Sequence, residues 1–213
     1  KRLTTLEQRL QLLHSYPIDY VLLINFTIHL AQHSAAFFIE SLRQSIPFSD
    51  LVLGHDATLG RDKQGDRATL RELGDLWGFS TFYVDEHRYE AKAVSSTRIR
   101  EALQQGDLNE VEALLNRPYS ILLPTVKGHD PAQTFLLDAA TQCLPPPGAY
   151  AIEVRSKSKP IEGIAVIKLG VNQETLLALE VHECYPSSET DKIEIVFKHV
   201  NHFSDLRAFS EHV

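Results

Sequence analysis

The sequence predicts an α/β protein, with a doubly wound parallel domain over residues 1–117 and a small antiparallel β-barrel over residues 118–213. In the first part, apolar runs alternate with segments whose apolar residues recur every three or four positions, as strands and helices do in a parallel sheet. After Arg117-Pro118-Tyr119 the pattern changes to short β-rich runs separated by turns that contain proline. That pattern is typical of a small barrel, and it places the predicted domain boundary.

Local patterns justify the elements of the first part. Leucines spaced by three and four residues predict a helix over residues 4–15, with Thr4 or Thr5 as its cap. The nearly continuous apolar run at residues 20–26 predicts a parallel strand buried on both faces. Asp107, followed three residues later by Glu110, predicts a capping box at the last helix. The other predicted elements are helices over 34–45, with Phe37, Phe38 and Leu42 facing inward, 67–77 and 97–105, and strands over 51–53 and 81–84.

The second part is predicted to consist almost entirely of strands. Runs rich in β-branched and aromatic residues are bounded by turns such as Pro145-Pro146-Pro147-Gly148. A short helix is expected to close the chain over residues 203–209. The predicted strands cover residues 120–126, 150–155, 161–169, 176–183 and 193–199.

Composition excludes several classes of function. The net charge of −7 argues against a general binder of nucleic acid or anionic membranes, which would need a basic face. Cys143 and Cys184 form no CxxC pair, so neither a zinc ribbon nor a disulfide framework is predicted, and the cytoplasm is the simplest compartment. No apolar run reaches the roughly 20 residues of a membrane span. The sequence gives no indication of oligomeric state.

The chain begins at Lys1 and contains no methionine. At average usage a chain of this length would carry about five. We therefore expect the sequence to be a fragment of a longer protein.

The first candidate site is the start of the predicted helix at residues 97–105. Ser95, Ser96 and Thr97 can cap this helix, and Arg98 and Arg100 lie in its first turn. A helix N-terminus offers free N–H donors and a partial positive charge, so this stretch predicts a site for a polyphosphate. The alternative is an ordinary capped surface helix with two solvated arginines.

The second candidate site is the loop at residues 54–66, directly after a predicted strand. It contains Gly54, Asp56 and Gly60 among several glycines and charged residues, at the strand end where open α/β sheets bind ligands. The alternative is a polar surface connection between strand and helix. His29 and His33 lie four residues apart but lack a third ligand, so no metal site is predicted.

Taken in order, these motifs resemble the prokaryotic bifunctional riboflavin kinase/FMN adenylyltransferase family, the bacterial FAD synthetases. The resemblance rests on Phe26-Thr27, on Ala-x-x-Ser-Ala-x-x-Phe at 31–38, on the Gly-x-Asp-x-x-x-Gly-x-x-x-x-Gly-Asp loop at 54–66, on Ser-Ser-Thr-Arg-Ile-Arg at 95–100, on Gly-Asp-Leu at 106–108 and on Arg-Pro-Tyr at 117–119. The family's first motif, Gly-x-Phe-Asp-Gly-x-His-x-Gly-His, is missing and is expected upstream of Lys1.

The resemblance implies a Rossmann-like nucleotidyltransferase domain over residues 1–117 that transfers AMP from ATP to FMN, giving FAD and pyrophosphate. It implies ATP, Mg²⁺ and FMN or FAD as ligands and small-molecule substrates, FMN and ATP, as partners. In line with the net charge, no nucleic acid or membrane is expected to bind. The implied ATP-phosphate site is Ser95, Ser96, Thr97, Arg98 and Arg100, of which Ser96, Thr97 and Arg100 are the implied catalytic residues. Gly54, Asp56 and Gly60 are implied to lie against flavin and nucleotide.

The second half resembles the riboflavin kinase barrel of this family but departs from its motif. The family reads Gly-Phe-Pro-Thr-Ala-Asn where this chain reads Thr134-Phe-Leu-Leu-Asp-Ala-Ala-Thr141, so the Thr and Asn that serve Mg-ATP are lost. Glu180 matches the family's catalytic base, although a strand glutamate can equally face solvent. The resemblance therefore implies a degenerate kinase barrel. Two alternatives stay open for the chain: a non-catalytic flavin-binding or assembly protein, and a different nucleotidyltransferase.

Overall fold

The structure is a computed structural model that describes residues 1–124, 132–137, 142–155, 159–169, 175–181 and 192–198. It divides into two compact units, one of Lys1–Ile18 with Val94–Val213 and one of Asp19–Ala93. The helices are α1 Leu6–His14, α2 Ile28–Ala31, α3 Ala35–Ser45, α4 Arg67–Trp77, α5 Ser96–Gln105 and α6 Leu108–Leu115. The strands are β1 Asp50–Gly54, β2 Ser80–Val84, β3 Arg88–Tyr89, β4 Lys92–Ala93, β5 Ser120–Pro124, β6 Ala132–Leu137, β7 Gly148–Arg155, β8 Ile161–Leu169, β9 Thr175–Val181 and β10 Lys192–Phe197.

The first unit is built on a six-stranded antiparallel sheet with the order β5-β10-β7-β8-β9-β6. It curls into a half-barrel, which is consistent with the predicted β-barrel. Strand β8 alternates buried and exposed side chains only loosely, because Ile164 and Ala165 are both buried near its middle. Strand β6 was not among the predicted strands. The predicted closing helix over 203–209 lies outside the described residues.

Helices α5 and α6 share one hydrophobic core with this sheet. Leu103 of α5 and Val111 of α6 are fully buried, and they belong to the same cluster as Ile121, Ile152 and other inward side chains of the strands. Gly106 ends α5 in a left-handed conformation, with φ of 77°, which lets the chain turn directly into α6. The core of this unit therefore consists of both helices and strands.

Helix α1 joins the same unit through a buried polar network. Its predicted cap is confirmed at Thr5, which accepts from the Gln8 amide in a reciprocal capping box. The side chain of Gln8 is buried and donates to the carbonyl of Ser120 at 3.2 Å, and it accepts from Gln142 at 2.7 Å. These bonds satisfy the polar atoms of Gln8, which burial would otherwise penalise.

The second unit contains a parallel pair of strands, β1 and β2, in which Leu51 faces Thr81 and Leu53 faces Tyr83. Helices α3 and α4 pack on one side of this pair around a core centred on Ile39 and Leu70, both fully buried. Helix α4 spans the residues predicted for it, capped at Asp66. The predicted strands over 51–53 and 81–84 are confirmed, each with slightly wider bounds.

The prediction of a buried strand over residues 20–26 is wrong. These residues have no regular secondary structure, and their large side chains are exposed, Tyr20 to 88% and Phe26 to 75%. A parallel strand needs hydrogen-bonded neighbours, and among the described residues β1 pairs only with β2. The apolar run alone could not reveal whether such a neighbour is present.

Two further local predictions are corrected by the structure. Phe37 does not face inward but is 44% exposed, because Ala35 and Ile39 occupy the buried stripe of α3. Asp107 caps α6 by accepting from the Glu110 amide, but the capping box is incomplete. The Asp107 amide donates to Ala102 instead, which leaves the Glu110 carboxylate for Arg98. Among the described residues, no helix has the length and apolar character to cross a membrane.

Candidate functional site

The start of α5 is an open helix N-terminus with exposed hydroxyl groups. Ser95 is the cap, with extended backbone, and its Oγ accepts from the amide of Arg98 at 3.2 Å. Ser96 and Thr97 are exposed and occupy the first helical positions, whose N–H groups have no partner within a helix. The helix begins one residue earlier than predicted. This arrangement can present N–H and O–H donors to an anion.

The two arginines of this helix start differ in their contacts. The guanidinium of Arg98 is paired with Glu110, with Nη2 2.7 Å and Nε 2.9 Å from the same carboxylate oxygen, and its side chain is only 15% exposed. Arg100 donates through Nε to the carbonyl of Lys1 at 3.1 Å. No other hydrogen bond of Arg100 is found within the described part of the chain, so its Nη groups can reach an anion. A phosphate would have to compete with the Glu110 carboxylate for the guanidinium of Arg98.

The loop at residues 54–66 lies in the second unit and is folded back on itself. Leu59 and Gly65 exchange backbone hydrogen bonds of 3.0 and 2.8 Å, and a short 3₁₀ turn at Arg61–Lys63 lies between them. Asp66 ends the loop by capping α4, and the hydrogen bond from Thr69 lowers the pKa of its carboxyl. The loop is therefore a defined structure that leads from β1 into α4.

Glycines allow this loop to pack against the start of α3. A Cβ on Gly60 would lie 2.3 Å from the amide nitrogen of Ala35, and Gly60 has a positive φ of 74°. A Cβ on Gly65 would lie 2.5 Å from the Ala35 Cβ. The amide of Arg61 adds a hydrogen bond of 2.9 Å to the carbonyl of His33. The Ser-Ala pair at 34–35 and the loop glycines thus pack directly against each other.

A small cavity of about 150 Å³ lies beside this contact and is mostly apolar. Its lining consists of Phe26, Leu30, Ala31, His33, Phe38, Thr58, Leu59 and Gly60. The His33 ring stacks on Phe37 with centroids 3.9 Å apart, and His29 contacts His33 edge to face. An apolar space of this size next to an imidazole can take the edge of a planar heteroaromatic ring.

Of the three loop residues predicted to contact ligand, only Gly60 lines this cavity. Asp56 is exposed, and its Oδ1 lies 3.9 Å from the imidazole Nδ1 of His55. The cavity residues Phe26 and His33 were not predicted as site residues. The available signals were the motifs at 26–27 and 31–38, which contain Phe26, Ala31, His33 and Phe38, and the pair of histidines four residues apart.

Charged groups also collect at the carboxyl ends of β1 and β2. Arg67 donates to the carbonyl of His55 at 2.7 Å and lies 4.3 Å from the centre of the Tyr83 ring. The His55 imidazole lies 3.6 Å from Glu86. Within the described ranges, no group of three or more histidine, cysteine or acidic side chains could hold a metal ion.

The predicted kinase-site glutamate lies elsewhere in the first unit. Glu180 is on β9, opposite Ala132 of β6 and Ile164 of β8, and its side chain is exposed. Its neighbours Leu179 and Val181 face the core. Residues 134–137 of the altered kinase motif belong to β6, and residues 138–141 lie outside the described part. The role of Glu180 stays a prediction.

The predicted residues thus fall into three separate groups. Ser95 to Arg100 adjoin one another at the start of α5, and Glu180 lies in the sheet of the same unit. Gly54, Asp56 and Gly60 belong to the loop of the second unit. The three groups lie at the start of α5, on β9 and in the loop that follows β1.

Comparison with known proteins shows what the chain is similar to over most of its length. Residues 1–98 match the family model described as FAD synthetase. The chain is 31% identical over 193 residues to the bifunctional riboflavin kinase/FMN adenylyltransferase of Escherichia coli (strain K12), covering 85% of this chain and 60% of the relative. It is 32% identical over 192 residues to the protein of the same description from Haemophilus influenzae, covering 85% and 61%. The chain therefore spans about 60% of the length of these relatives.

A solved structure described as a macrolide-efflux protein from Streptococcus pneumoniae matches with a TM-score of 0.76, over 99% of this chain and 73% of its own. At 18% identity this likeness shows a shared fold alone. The Rossmann-like nucleotidyltransferase fold, of which two parallel strands are described, is supported by the family match. Residues 1–98 are thus similar to FAD synthetases, and over most of its length the chain is similar to bacterial bifunctional riboflavin kinase/FMN adenylyltransferases.

Proposed function

We propose that the chain acts as an FMN adenylyltransferase, which transfers AMP from ATP to FMN. In this reaction an oxygen of the FMN phosphate attacks the α-phosphorus of ATP. The new bond gives FAD, and the bond between the α- and β-phosphates breaks to release pyrophosphate. The observation that carries the proposal is the open start of α5, with exposed Ser96 and Thr97, in a chain whose first 98 residues match the FAD synthetase model.

The start of α5 would hold the ATP phosphates. The free amides of its first turn and the hydroxyls of Ser96 and Thr97 donate to phosphate oxygens. Arg100 would stabilise the negative charge that grows on pyrophosphate as it leaves, since donors fixed in advance toward such charge lower the barrier. Arg98 would act mainly by joining this helix to α6 through Glu110, which keeps the donors in place.

The second unit would hold the flavin. The apolar cavity beside Gly60 and His33 has space for one edge of a planar ring, but not for a whole nucleotide. Asp56 is exposed and can approach the polar groups of flavin or nucleotide from solvent. Mg²⁺ has no ligand cluster in the parts of the two units that are described.

The sheet of the first unit would no longer act as a riboflavin kinase. The stretch at residues 134–141 lacks the family's Thr and Asn, and Glu180 faces solvent. The proposed remaining role of the sheet is structural, because it completes the core under α5 and α6.

The test is to incubate the full-length protein with ATP and either FMN or riboflavin, and to separate the flavins by chromatography. The proposal expects FAD and pyrophosphate in equal amounts from FMN, and no FMN from riboflavin. FMN formed from riboflavin would contradict the loss of kinase activity. No FAD from a folded protein that binds ATP would contradict the transferase assignment.

One observation favours a second candidate, a non-catalytic flavin-binding protein. The cavity beside His33 can bind a ring without any part of α5, and Arg98 is already neutralised by Glu110. This candidate expects FMN to bind, with no turnover when ATP is added. The same assay, combined with flavin fluorescence as the measure of binding, separates the two candidates.

A further inference from the structure

A second cleft, outside the proposed site, lies within the first unit. It has a volume of about 240 Å³ and is formed by α1, by the chain entering β5, and by β7 and β10. Polar side chains that line it include Gln11, Ser15, Arg117, Arg155 and Glu194. None of these residues belongs to the proposed adenylyltransferase site or to the altered kinase motif.

Arg117 is the main feature of this cleft. Its guanidinium is half-buried and makes one hydrogen bond, from Nη1 to the carbonyl of Pro118 at 3.2 Å. Burial lowers the pKa of Arg117, and the charge of Glu194 partly reverses this shift, but arginine remains charged. Its other N–H groups have no acceptor among the residues that the structure describes. Because Arg117 is half-buried and lines the cleft, these donors can be reached by an acceptor group of a ligand.

The other charged groups supply a second donor and one acceptor. Arg155 is paired through Nε with Glu153 at 2.5 Å, and its side chain is 48% exposed, so its Nη groups can reach a ligand. Glu194 accepts from Ser120 Oγ at 2.6 Å through one oxygen. Within the described part of this unit, Arg117 and Glu194 form no ion pair. The cleft therefore offers both guanidinium donors and a carboxylate acceptor.

We propose that this cleft binds a small phosphorylated polyol. Its phosphate would lie against Arg117 and Arg155, because a guanidinium matches two phosphate oxygens at once. A hydroxyl group of the ligand would donate to the free oxygen of Glu194, and its carbon chain would contact Leu12 and Val196 on the wall. The volume lies below the range of drug-sized pockets, which fits a sugar phosphate better than a whole nucleotide.

The test is isothermal titration calorimetry of the full chain with ribose 5-phosphate, and with ribose and inorganic phosphate as matched probes that each lack one group. Ribose 5-phosphate is expected to bind at least about tenfold more tightly than either probe, because it makes both sets of hydrogen bonds. Arg117→Gln is expected to weaken its binding by about tenfold or more. Arg71→Gln, on the exposed face of α4, is the control and should leave the affinity unchanged.

Competition experiments distinguish the two sources of this chemistry. Loss of the ribose 5-phosphate heat in the presence of FMN, but not of riboflavin, assigns the cleft to the phosphate tail of a flavin. No competition assigns it to a free sugar phosphate, and both results support the site.

Three results would overturn the proposal: no heat with ribose 5-phosphate, equal affinity for ribose, or unchanged affinity in a folded Arg117→Gln protein. If Arg117→Gln fails to fold, Arg155→Gln replaces it, because Arg155 is half-exposed and its loss removes no core contact. Unchanged affinity in that variant would equally overturn the proposal.

Discussion

Replacing Leu103 with alanine tests whether the helix that carries the proposed phosphate site depends on the sheet. Leu103 is 0% exposed and belongs to the core shared by α5, α6 and the strands. Leu→Ala at a fully buried position costs about 2–5 kcal/mol, from lost burial and from the cavity left behind. For a chain of this length each kcal/mol lowers the melting temperature by about 2–4 °C. The expected decrease is therefore roughly 4–20 °C.

The assay is thermal unfolding followed by far-UV circular dichroism and by calorimetry. Leu76→Ala is the matched control, because Leu76 lies on α4 with 74% of its surface exposed. A substitution at such a position is expected to change stability by about 0.5 kcal/mol or less. A Leu103→Ala protein that melts with the wild type would refute the shared core. An equal decrease in melting temperature in both variants would show that burial of the leucine does not determine the loss of stability.

Three other perturbations follow from the packing and charges. Gly60→Ala should destabilise the protein by about 1–3 kcal/mol more than Gly78→Ala, since both have positive φ but only Gly60 has a backbone atom in the way; equal melting temperatures would contradict this. Truncation after residue 117 removes the sheet from the shared core and should unfold α5 and α6, lowering the helical signal in circular dichroism by their share; a helical signal per molecule equal to that of the full chain would contradict it. Hydrogen bonding by Arg155 lowers the pKa of the Glu153 carboxyl. The contribution of this ion pair to folding stability is therefore present above the ordinary glutamate pKa, and it is lost as pH falls through the lower pKa of the folded state. Glu153→Gln should reduce the loss of stability in acid, as measured by melting curves at a series of pH values.

Local sequence patterns predicted every described α-helix except the short α2, Ile28–Ala31. The caps at Thr5 and Asp107 and the end of α5 at Gly106 are all observed, because each depends on residues within one turn of the helix end. The capping box at Glu110 failed for a non-local reason. Arg98, twelve residues earlier, takes the Glu110 carboxylate, and spacing along one helix cannot reveal this.

Strands were predicted less well because they depend on neighbours. The apolar run at residues 20–26 has the composition of a buried strand but lies exposed, with no described strand beside it. In the candidate site, the donors at Ser96 and Thr97 could be predicted, since they lie on one helix. The cavity beside His33 could not be predicted, because it forms where α3 meets a loop some 25 residues later, through contacts of Gly60 and Gly65 that only the fold shows.

The most direct test of the central claim is the rate of FAD formation by Arg100→Ala in the full-length protein. A charged donor to a transition-state oxygen contributes about 2–4 kcal/mol, so the rate from FMN and ATP should fall by about tenfold or more. Arg71→Ala, on the exposed face of α4, should retain the wild-type rate. A fall of less than about twofold in Arg100→Ala, with an unchanged melting temperature, would contradict the assignment of the α5 start as the site of adenylyl transfer.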